Sequence, residues 1–268
     1  MADERGPGFP AGLSPPRGDG PQDPGGTIIT DELFRDDSTL LSCEATVVAV
    51  DEAGIVLDRT VFYPTGGGQA GDTGVLATAD GCRVAIADTR KHKERPGAIA
   101  HVPAPGQPAL RPGDRVMASI DATRRHAHMR FHTTTHLLCA LVPHPVDGCS
   151  ITAGYARLDF HMHEALDKET LTAGLARLVA GAHPVRHRWI SEAELDANPQ
   201  LVRSMSVQPP RGLGRIRVLE IEGVDLQPCG GTHVANTAEV GDVIVTKIEK
   251  KSAMTRRVVL GFAPSITC

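Results

Sequence analysis

A change of hydrophobic pattern at Asp121 constrains the fold of this chain more than any other feature. Before it, residues 40–118 consist of short apolar or alternating runs separated by the turn sequences DEAG, TADG and RPGD. Short strands at such regular spacing are typical of a small β-barrel. After it, Asp121 is suited to cap a helix that runs to Leu141 and stops before Pro143. The sequence therefore predicts two parts of different kinds.

The second part mixes helices and strands. Four apolar residues share one face of a second predicted helix at 168–181, and SEAE at 191–194 is a capping-box pattern that opens a short third helix. YARLDFHMH, VRHRWI, RIRVLEI, GDVIVTKIE and TRRVVLGF have the composition of strands. We predict an α+β protein, with a small β-barrel over 28–118 and helices packed on a mostly antiparallel sheet over 119–268.

The first 27 residues differ from both parts. They contain seven glycines and six prolines and almost nothing large and apolar. Such a segment cannot bury enough surface to offset the entropy lost on ordering. We therefore predict that residues 1–27 form a disordered tail.

Net charge, cysteine content and hydropathy limit the partners and the cellular compartment that we expect. The 268 residues carry a formal net charge of −4, which does not favour a protein that coats DNA or RNA. Six cysteines scattered along the chain do not resemble a disulfide framework. No apolar run approaches the roughly 18 residues of a membrane span, and the N-terminus has no apolar signal region. We expect a cytoplasmic protein with no DNA or membrane partner.

Histidines at helical spacing raise the question of a metal site. In FHTTTHLLCAL, His132 and His136 lie four residues apart and project from one face of the predicted helix. His128 and His132 have the same spacing, and His161 and His163 would share one face of a strand. Spacing alone does not choose between these pairs.

A second motif, QPCGGTHVANT, supports the metal interpretation. Cys229 and His233 flank a turn that contains Gly230 and Gly231, and glycines allow a tight turn to bring a thiolate and an imidazole to one point. Two histidines combined with Cys and His make a plausible tetrahedral zinc set. The alternative is that Cys229 is a small core residue in a glycine turn.

A glycine-rich loop is the other unusual element. VFYPTGGGQAGDTG contains Gly66, Gly67 and Gly68 between Thr65 and Gln69. Consecutive glycines are kept where side chains would obstruct something, but the loop lacks the lysine of a phosphate-binding P-loop. It is either a set of exposed amides that bind a small polar ligand or a β-hairpin with a glycine bulge.

Two basic runs offer local contacts for phosphates. Residues 111–130 contain five arginines against two aspartates, and residues 247–257 contain five basic residues, including Arg256 and Arg257, against one glutamate. Phosphate contacts need only a handful of such groups. A charge run is more commonly a solvated face.

Taken in order, FYPTGGGQAGDTG, RFHTTTHLL and CGGTHVANTAEVG resemble the editing domain of alanyl-tRNA synthetase and, more closely, its free-standing AlaX-type relatives. The resemblance covers roughly residues 28–262. It implies that one Zn²⁺ is bound by His132, His136, Cys229 and His233. It thereby selects the second histidine pair of the helix over the first.

The resemblance also implies an activity, namely hydrolysis of the ester that joins a wrongly attached amino acid to tRNA(Ala), with serine the chief target and glycine the second. We expect Thr65 to contact the serine hydroxyl, with Gln69 as a further candidate. We expect the remaining contacts with substrate and the tRNA acceptor end from Gly66, Gly67, Gly68, Arg256 and Arg257.

Two alternatives stay open: an editing-like hydrolase for another aminoacyl-tRNA in a biosynthetic pathway, and a non-catalytic aminoacyl-tRNA binding module. Four protein ligands describe a closed structural zinc site, whereas hydrolytic zinc keeps an open position. Zinc could therefore activate water or only hold the substrate.

Overall fold

The computed structural model describes residues 28–264 apart from 206–208, 210 and 213, so the predicted disordered tail at 1–27 lies outside the described residues. The strands of the first part, β1 to β8, are Asp31–Glu32, Ser42–Asp51, Gly54–Leu57, Arg59–Thr60, Gly74–Thr78, Arg83–Lys91, Ile99–Pro103 and Arg115–Ile120.

Six of these strands form a closed barrel in the order β2-β3-β7-β6-β5-β8, with every neighbouring pair antiparallel. Strand β8 closes the barrel because it pairs with both β2 and β5. The interior is filled mainly by aliphatic side chains, including Val47, Leu57, Leu76 and Val84, together with Phe62. The predicted small β-barrel is confirmed.

Three α-helices lie in the second part of the described chain, and each has a side-chain cap. Helix α1 is Ala122–Leu141, α2 is Lys168–Ala180 and α3 is Glu192–Ala197. Their caps are Asp121, Asp167 and Ser191, each of which accepts a hydrogen bond from a backbone N–H in the first turn. Short 3₁₀ helices span Leu33–Arg35, Pro199–Leu201 and Thr237–Val240. The predicted start and end of α1 are confirmed.

The strands of the second part form two antiparallel sheets. Strands β9 to β15 are Val146–Ile151, Ala156–His161, Val185–Ser191, Arg215–Ile221, Asp225–Pro228, Val243–Ser252 and Thr255–Phe262. Their orders are β14-β15-β10-β9 and β11-β12-β13. Phe131 and Leu138 of α1 belong to one core with Phe160 and Leu260 of the four-stranded sheet, so the predicted packing of helix on sheet is confirmed.

The first turn of α1 joins the barrel to the second part. The backbone N–H of Asp121 donates to Thr73 O at 2.8 Å. The Arg125 guanidinium is 1% exposed and forms an ion pair with Asp72, while it also donates to Ser38 O and Val61 O. These buried polar contacts fix the direction in which the helix leaves the barrel.

The glycine loop also bridges the two parts. The N–H of Ala70 donates to Ile151 O at 3.0 Å, and the N–H of Ile151 donates to Gly68 O at 2.7 Å. The loop of the barrel is therefore attached to the end of β9. No helix among the described residues is long and apolar enough to cross a membrane.

Candidate metal centre

Four predicted ligands converge on one point. His132 and His136 lie one turn apart on α1, and Cys229 and His233 lie in the loop after β13. One ligand atom from each lies within 4.8 Å of all the others. The Cys229 Sγ is 3.5 Å from His132 Nε2 and 3.2 Å from His233 Nε2. The structure thus groups residues from segments about a hundred positions apart in sequence.

The loop that carries Cys229 can approach α1 because it contains glycine. A Cβ at Gly231 would overlap the ring of His132, so any other residue would push the loop away from the helix. The Arg217 guanidinium fixes the loop from behind, since it donates to the carbonyls of Cys229 at 2.9 Å and Gly231 at 3.1 Å. The predicted need for glycine in this turn is met at Gly231.

Each histidine of the group has a partner on its Nδ1 atom. These partners are Gln69 Oε1 for His132 at 2.7 Å, Thr133 Oγ1 for His233 at 3.2 Å and Asp225 Oδ2 for His136 at 2.8 Å. When Nδ1 is held in this way, the Nε2 atom of each ring is left as the ligand atom. Histidines that bind metals are generally oriented by such outer partners.

The electrostatics favour a thiolate at position 229. Burial acts to raise the pKa of Cys229, but the adjacent His132 and His233 outweigh it and lower the pKa well below its ordinary value. Burial also acts to lower the pKa of His136, but the hydrogen bonds and charges of Asp225 and Cys229 together outweigh burial and raise the pKa to about 10. The thiolate is the form of cysteine that binds metals.

The donor set fits a divalent metal that accepts nitrogen and sulfur. Metal–ligand bonds of about 2.0 Å to nitrogen and 2.3 Å to sulfur place a nitrogen and a sulfur at two corners of a tetrahedron about 3.5 Å apart. The distance from Cys229 Sγ to His132 Nε2 is 3.5 Å, and the distance to His233 Nε2 is slightly shorter at 3.2 Å. His132, His136, Cys229 and His233 therefore form a candidate metal centre.

The other histidine pairs lie elsewhere. His128 is fully buried one turn before His132, and its Nδ1 lies 3.8 Å from Asp72 Oδ1 rather than near the thiol. His161 ends β10 and contacts Asp147, while His163 lies beyond the strand beside Glu164. Of the alternatives that spacing left open, the structure brings only His132 and His136 to Cys229.

The glycine loop is a tight hairpin turn. Gly66 and Gln69 exchange backbone hydrogen bonds of 3.0 Å each, and between them Gly67 and Gly68 have φ values of 58° and 85°. Positive φ at both central residues is the signature of a type I′ turn. A Cβ at Gly68 would also come within 2.8 Å of Cys149 Sγ. The hairpin interpretation of the glycines is therefore the one the structure shows, and substrate binding by them stays a prediction.

Thr65 and Gln69 have different surroundings. Thr65 is exposed, and its hydroxyl oxygen accepts from Gly71 N at 2.9 Å, so its own proton stays available. Gln69 is fully buried, and its amide bonds to His132 and to Thr232 Oγ1. Gln69 therefore holds a candidate metal ligand. The contacts of Thr65 and Gln69 with the substrate hydroxyl stay predictions.

The two arginines predicted to contact tRNA have internal partners. Arg256 is 8% exposed and donates to the carbonyls of His163, Glu164 and Ser252. Arg257 forms two hydrogen bonds with Asp159, at 2.7 and 2.8 Å. Both lie on β15 of the four-stranded sheet, outside the residues of the metal centre. Their contact with tRNA stays a prediction.

Sequence reasoning missed the outer partners of the histidines. Asp225 holds His136, and Gln227 in turn donates to both oxygens of Asp225, at 3.0 and 2.9 Å. A signal was present, because Asp225, Gln227 and Cys229 occupy alternate positions on and just after one short strand. Alternate strand residues share a face, so a polar series that leads to Cys229 indicates support for the same site.

Comparison with known proteins agrees with this architecture. Residues 216–259 match the model of the threonyl and alanyl tRNA synthetase second additional domain, and residues 34–124 match the model of class II (A) tRNA synthetases. An alanyl-tRNA editing protein AlaX-M of Methanosarcina acetivorans is 33% identical over 243 residues, which cover 85% of this chain and 97% of that protein. The AlaX-M protein of Methanosarcina barkeri is 34% identical over 241 residues, with the same coverage.

A longer relative shares only one region. An alanine–tRNA ligase of Methanothermobacter thermautotrophicus is 34% identical over 231 residues, which are 82% of this chain but 25% of the ligase. The barrel, the sheets and the four-residue centre thus define a protein related to the additional domains of alanyl-tRNA synthetases. Within that class, the chain belongs to the family of alanyl-tRNA editing proteins of the AlaX-M type.

Proposed function

We propose that this chain hydrolyses the ester of mischarged tRNA(Ala), chiefly seryl-tRNA(Ala) and, second, glycyl-tRNA(Ala). The names of the similar AlaX-M proteins support an editing role. The observation that carries the proposal is the hydrogen bond between Gln69 of the glycine loop and His132 of the metal centre. This hydrogen bond supports a single site that combines the loop carrying Thr65 with the four proposed ligands.

We propose that the bound metal is Zn²⁺, because three imidazole nitrogens and one thiolate form a donor set that zinc favours. When bound, zinc would supply Lewis-acid chemistry or lower the pKa of a bound water molecule. His132, His136, Cys229 and His233 would hold the ion. Gln69, Thr133 and Asp225 would orient three of these ligands through Nδ1.

Thr65 gives the site a means to prefer serine. Its hydroxyl oxygen accepts from Gly71 N, so the O–H can donate to a substrate hydroxyl. A pocket for alanine rejects serine only about 10²-fold, because one added hydroxyl changes binding little. A second site that hydrogen-bonds this hydroxyl disfavours alanine, which leaves a polar group unpaired.

A deacylation panel tests the proposal. Purified protein is incubated with seryl-, glycyl- and alanyl-tRNA(Ala), and the released amino acid is measured. We expect fastest release of serine, slower release of glycine and no release of alanine above background. Thr65→Val, which removes the hydroxyl but keeps the shape, should lower the rate on serine about 10-fold and leave that on glycine unchanged. Rejection of seryl-tRNA(Ala) would contradict the proposal.

The closed set of four protein ligands supports a second candidate, an aminoacyl-tRNA binding module with a structural metal. The same panel separates the two. Retention of seryl-tRNA(Ala) on the metal-loaded protein without release of serine would favour the binding module. Release of a different amino acid from its tRNA would point to a related hydrolase with another substrate.

A further inference from the structure

The three-stranded sheet leads from the metal centre to an exposed aromatic residue. Trp189 on β11 pairs directly with Arg217 on β12, and the backbone N–H of Cys229 donates to Arg217 O at 3.1 Å. These three residues therefore form one row across the sheet. Two strand spacings separate the backbones of Trp189 and Cys229 by about 10 Å.

The two faces of this sheet have different environments. On one face, Ile190, Ile216 and Val218 form a small core with Leu195 of α3. Trp189 and Arg217 point to the opposite face, because adjacent residues of a strand alternate. Trp189 is 36% exposed, and the Arg215 guanidinium lies over its ring at 4.3 Å from the centroid. This Trp189–Arg215 stack is an aromatic and cationic surface open to solvent.

Positive charge lies between the stack and the metal centre. Cys229 is partly exposed and Gly230 is exposed, so the centre opens on this side. The Arg35 guanidinium lies 3.1 Å from the position that a Cβ at Gly230 would occupy, and Arg217 donates to the carbonyl of Cys229. Glu32 pairs with Arg35. The opening is nevertheless bordered by two guanidinium groups and continues to a third at Arg215.

We propose that the Trp189–Arg215 stack binds a nucleobase of the single-stranded 3′ end of an RNA whose terminal amino acid lies at the metal centre. Single-stranded RNA is held by aromatic side chains and arginine planes that stack on its bases, and by positive charge along its phosphates. Both elements are present here in one row with a metal ligand. The inference rests on the proposed function and names the part of the tRNA that this face takes.

Intrinsic fluorescence gives a direct test, because Trp189 is the single tryptophan of the chain. The full-length protein is titrated with an acceptor-stem RNA hairpin that carries a four-nucleotide 3′ overhang, and with the same hairpin made blunt. Stacking of a base on the indole should quench the emission with the overhang and leave it unchanged with the blunt RNA. Equal quenching by both RNAs, or none by either, would overturn the inference.

Variants separate stacking from a structural role. Trp189→Ala should raise KM for charged tRNA about 10-fold with kcat within about twofold, whereas Trp189→Phe, which keeps a ring, should stay near the wild-type value. Arg215→Ala should raise KM about threefold. Arg188→Ala removes the same charge from the opposite face, where it pairs with Glu194 and Glu220, and should leave KM unchanged.

Base stacking on Trp189 and hydrolysis of the ester can be refuted separately. Deacylation with a wild-type KM in Trp189→Ala, and no quenching, would refute the stack and leave the hydrolase intact. Quenching that requires the overhang, in a protein that releases no amino acid, would support the stack and refute the hydrolase. A rise in KM shared equally by Trp189→Phe would also refute base stacking.

Discussion

Two buried histidines on the same helix, His128 and His132, lie one turn apart and have different surroundings. His128 faces the barrel beside the Asp72–Arg125 ion pair, and neither of its ring nitrogens has a hydrogen-bond partner among the described residues. His132 lies between two loops: Gln69 of the glycine loop holds its Nδ1, and the Cys229 thiol of the loop after β13 lies near its Nε2. Helical spacing alone therefore does not select the candidate metal ligands. The segments packed against each turn of the helix determine which histidine meets Cys229.

The largest expected effect comes from removing a ligand. We expect Cys229→Ala and His136→Ala to lose the metal and at least about 10³-fold of the deacylation rate, since the remaining donors no longer enclose an ion. His128→Leu removes a histidine one turn earlier and should keep one metal per chain. Elemental analysis of the dialysed proteins and the serine-release assay provide the readouts. Full metal content in Cys229→Ala would contradict the assignment of the ligands to the turn of His132 and the loop of Cys229.

On the barrel side, the next largest effect should come from Arg125. Its side chain and that of Asp72 are each 1% exposed. Arg125→Ala would leave the Asp72 carboxylate buried without its cation, and we expect a loss of about 3–5 kcal/mol in the free energy of unfolding. Urea denaturation measures this loss. The control is Arg124→Ala, which removes a half-buried arginine whose side chain bonds only to the Gly71 carbonyl among the described residues, and should cost less. Metal content per folded chain should stay unchanged, and a loss there would show that the two sides are not independent.

A smaller effect should follow from the outer partner of His132. Gln69→Ala removes the acceptor for Nδ1 and should weaken metal affinity about 10–100-fold, because the ring is no longer held in the ligand orientation. Competition with a coloured chelator measures the change. Thr65→Ala alters the same loop at an exposed position and should not affect metal affinity. Equal metal affinity in both variants would show that Gln69 does not hold the ring of His132 for the metal.

The smallest effect concerns a third buried histidine, His101 in the barrel. Burial lowers its pKa to about 4, while Thr60 and Ile55 O satisfy its two nitrogens. Since the unfolded histidine titrates near 6.5, the unfolded chain takes up a proton first as pH falls. The contribution of His101 to the free energy of unfolding is therefore fully present above pH 6.5 and is lost as the pH falls toward 4. The loss between pH 7 and pH 5.5 is about 1 kcal/mol. The contribution of His101 is the difference between wild type and His101→Gln in how the free energy of unfolding changes with pH. Parallel pH profiles for the two proteins would contradict the prediction.

Local signals in the sequence were sufficient for the three helices and most of the longer strands, but not for β7, β9 and β13. Asp121 and Pro143 set the ends of α1, and the turn sequences marked the barrel strands, because capping and turn formation depend on neighbouring residues. The four ligands came from motif resemblance. Their outer partners were not predictable in this way, since Gln69 reaches His132 across 63 positions and Asp225 reaches His136 across 89. Such pairs are fixed only by the packing of barrel, helix and loop.

The candidate ligands are far apart along the chain, so a bound ion would affect how the protein assembles and unfolds. His132 and Cys229 are 97 positions apart, and the loop hydrogen-bonded to His132 belongs to the barrel. An ion bound by the four residues would link two segments of the second part, much as a covalent cross-link restricts an unfolded chain. The barrel would be coupled to that ion only through the hydrogen bond between Gln69 and His132. Metal loading would therefore require α1 to dock on the loop after β13, and the two would separate only after the ion is released.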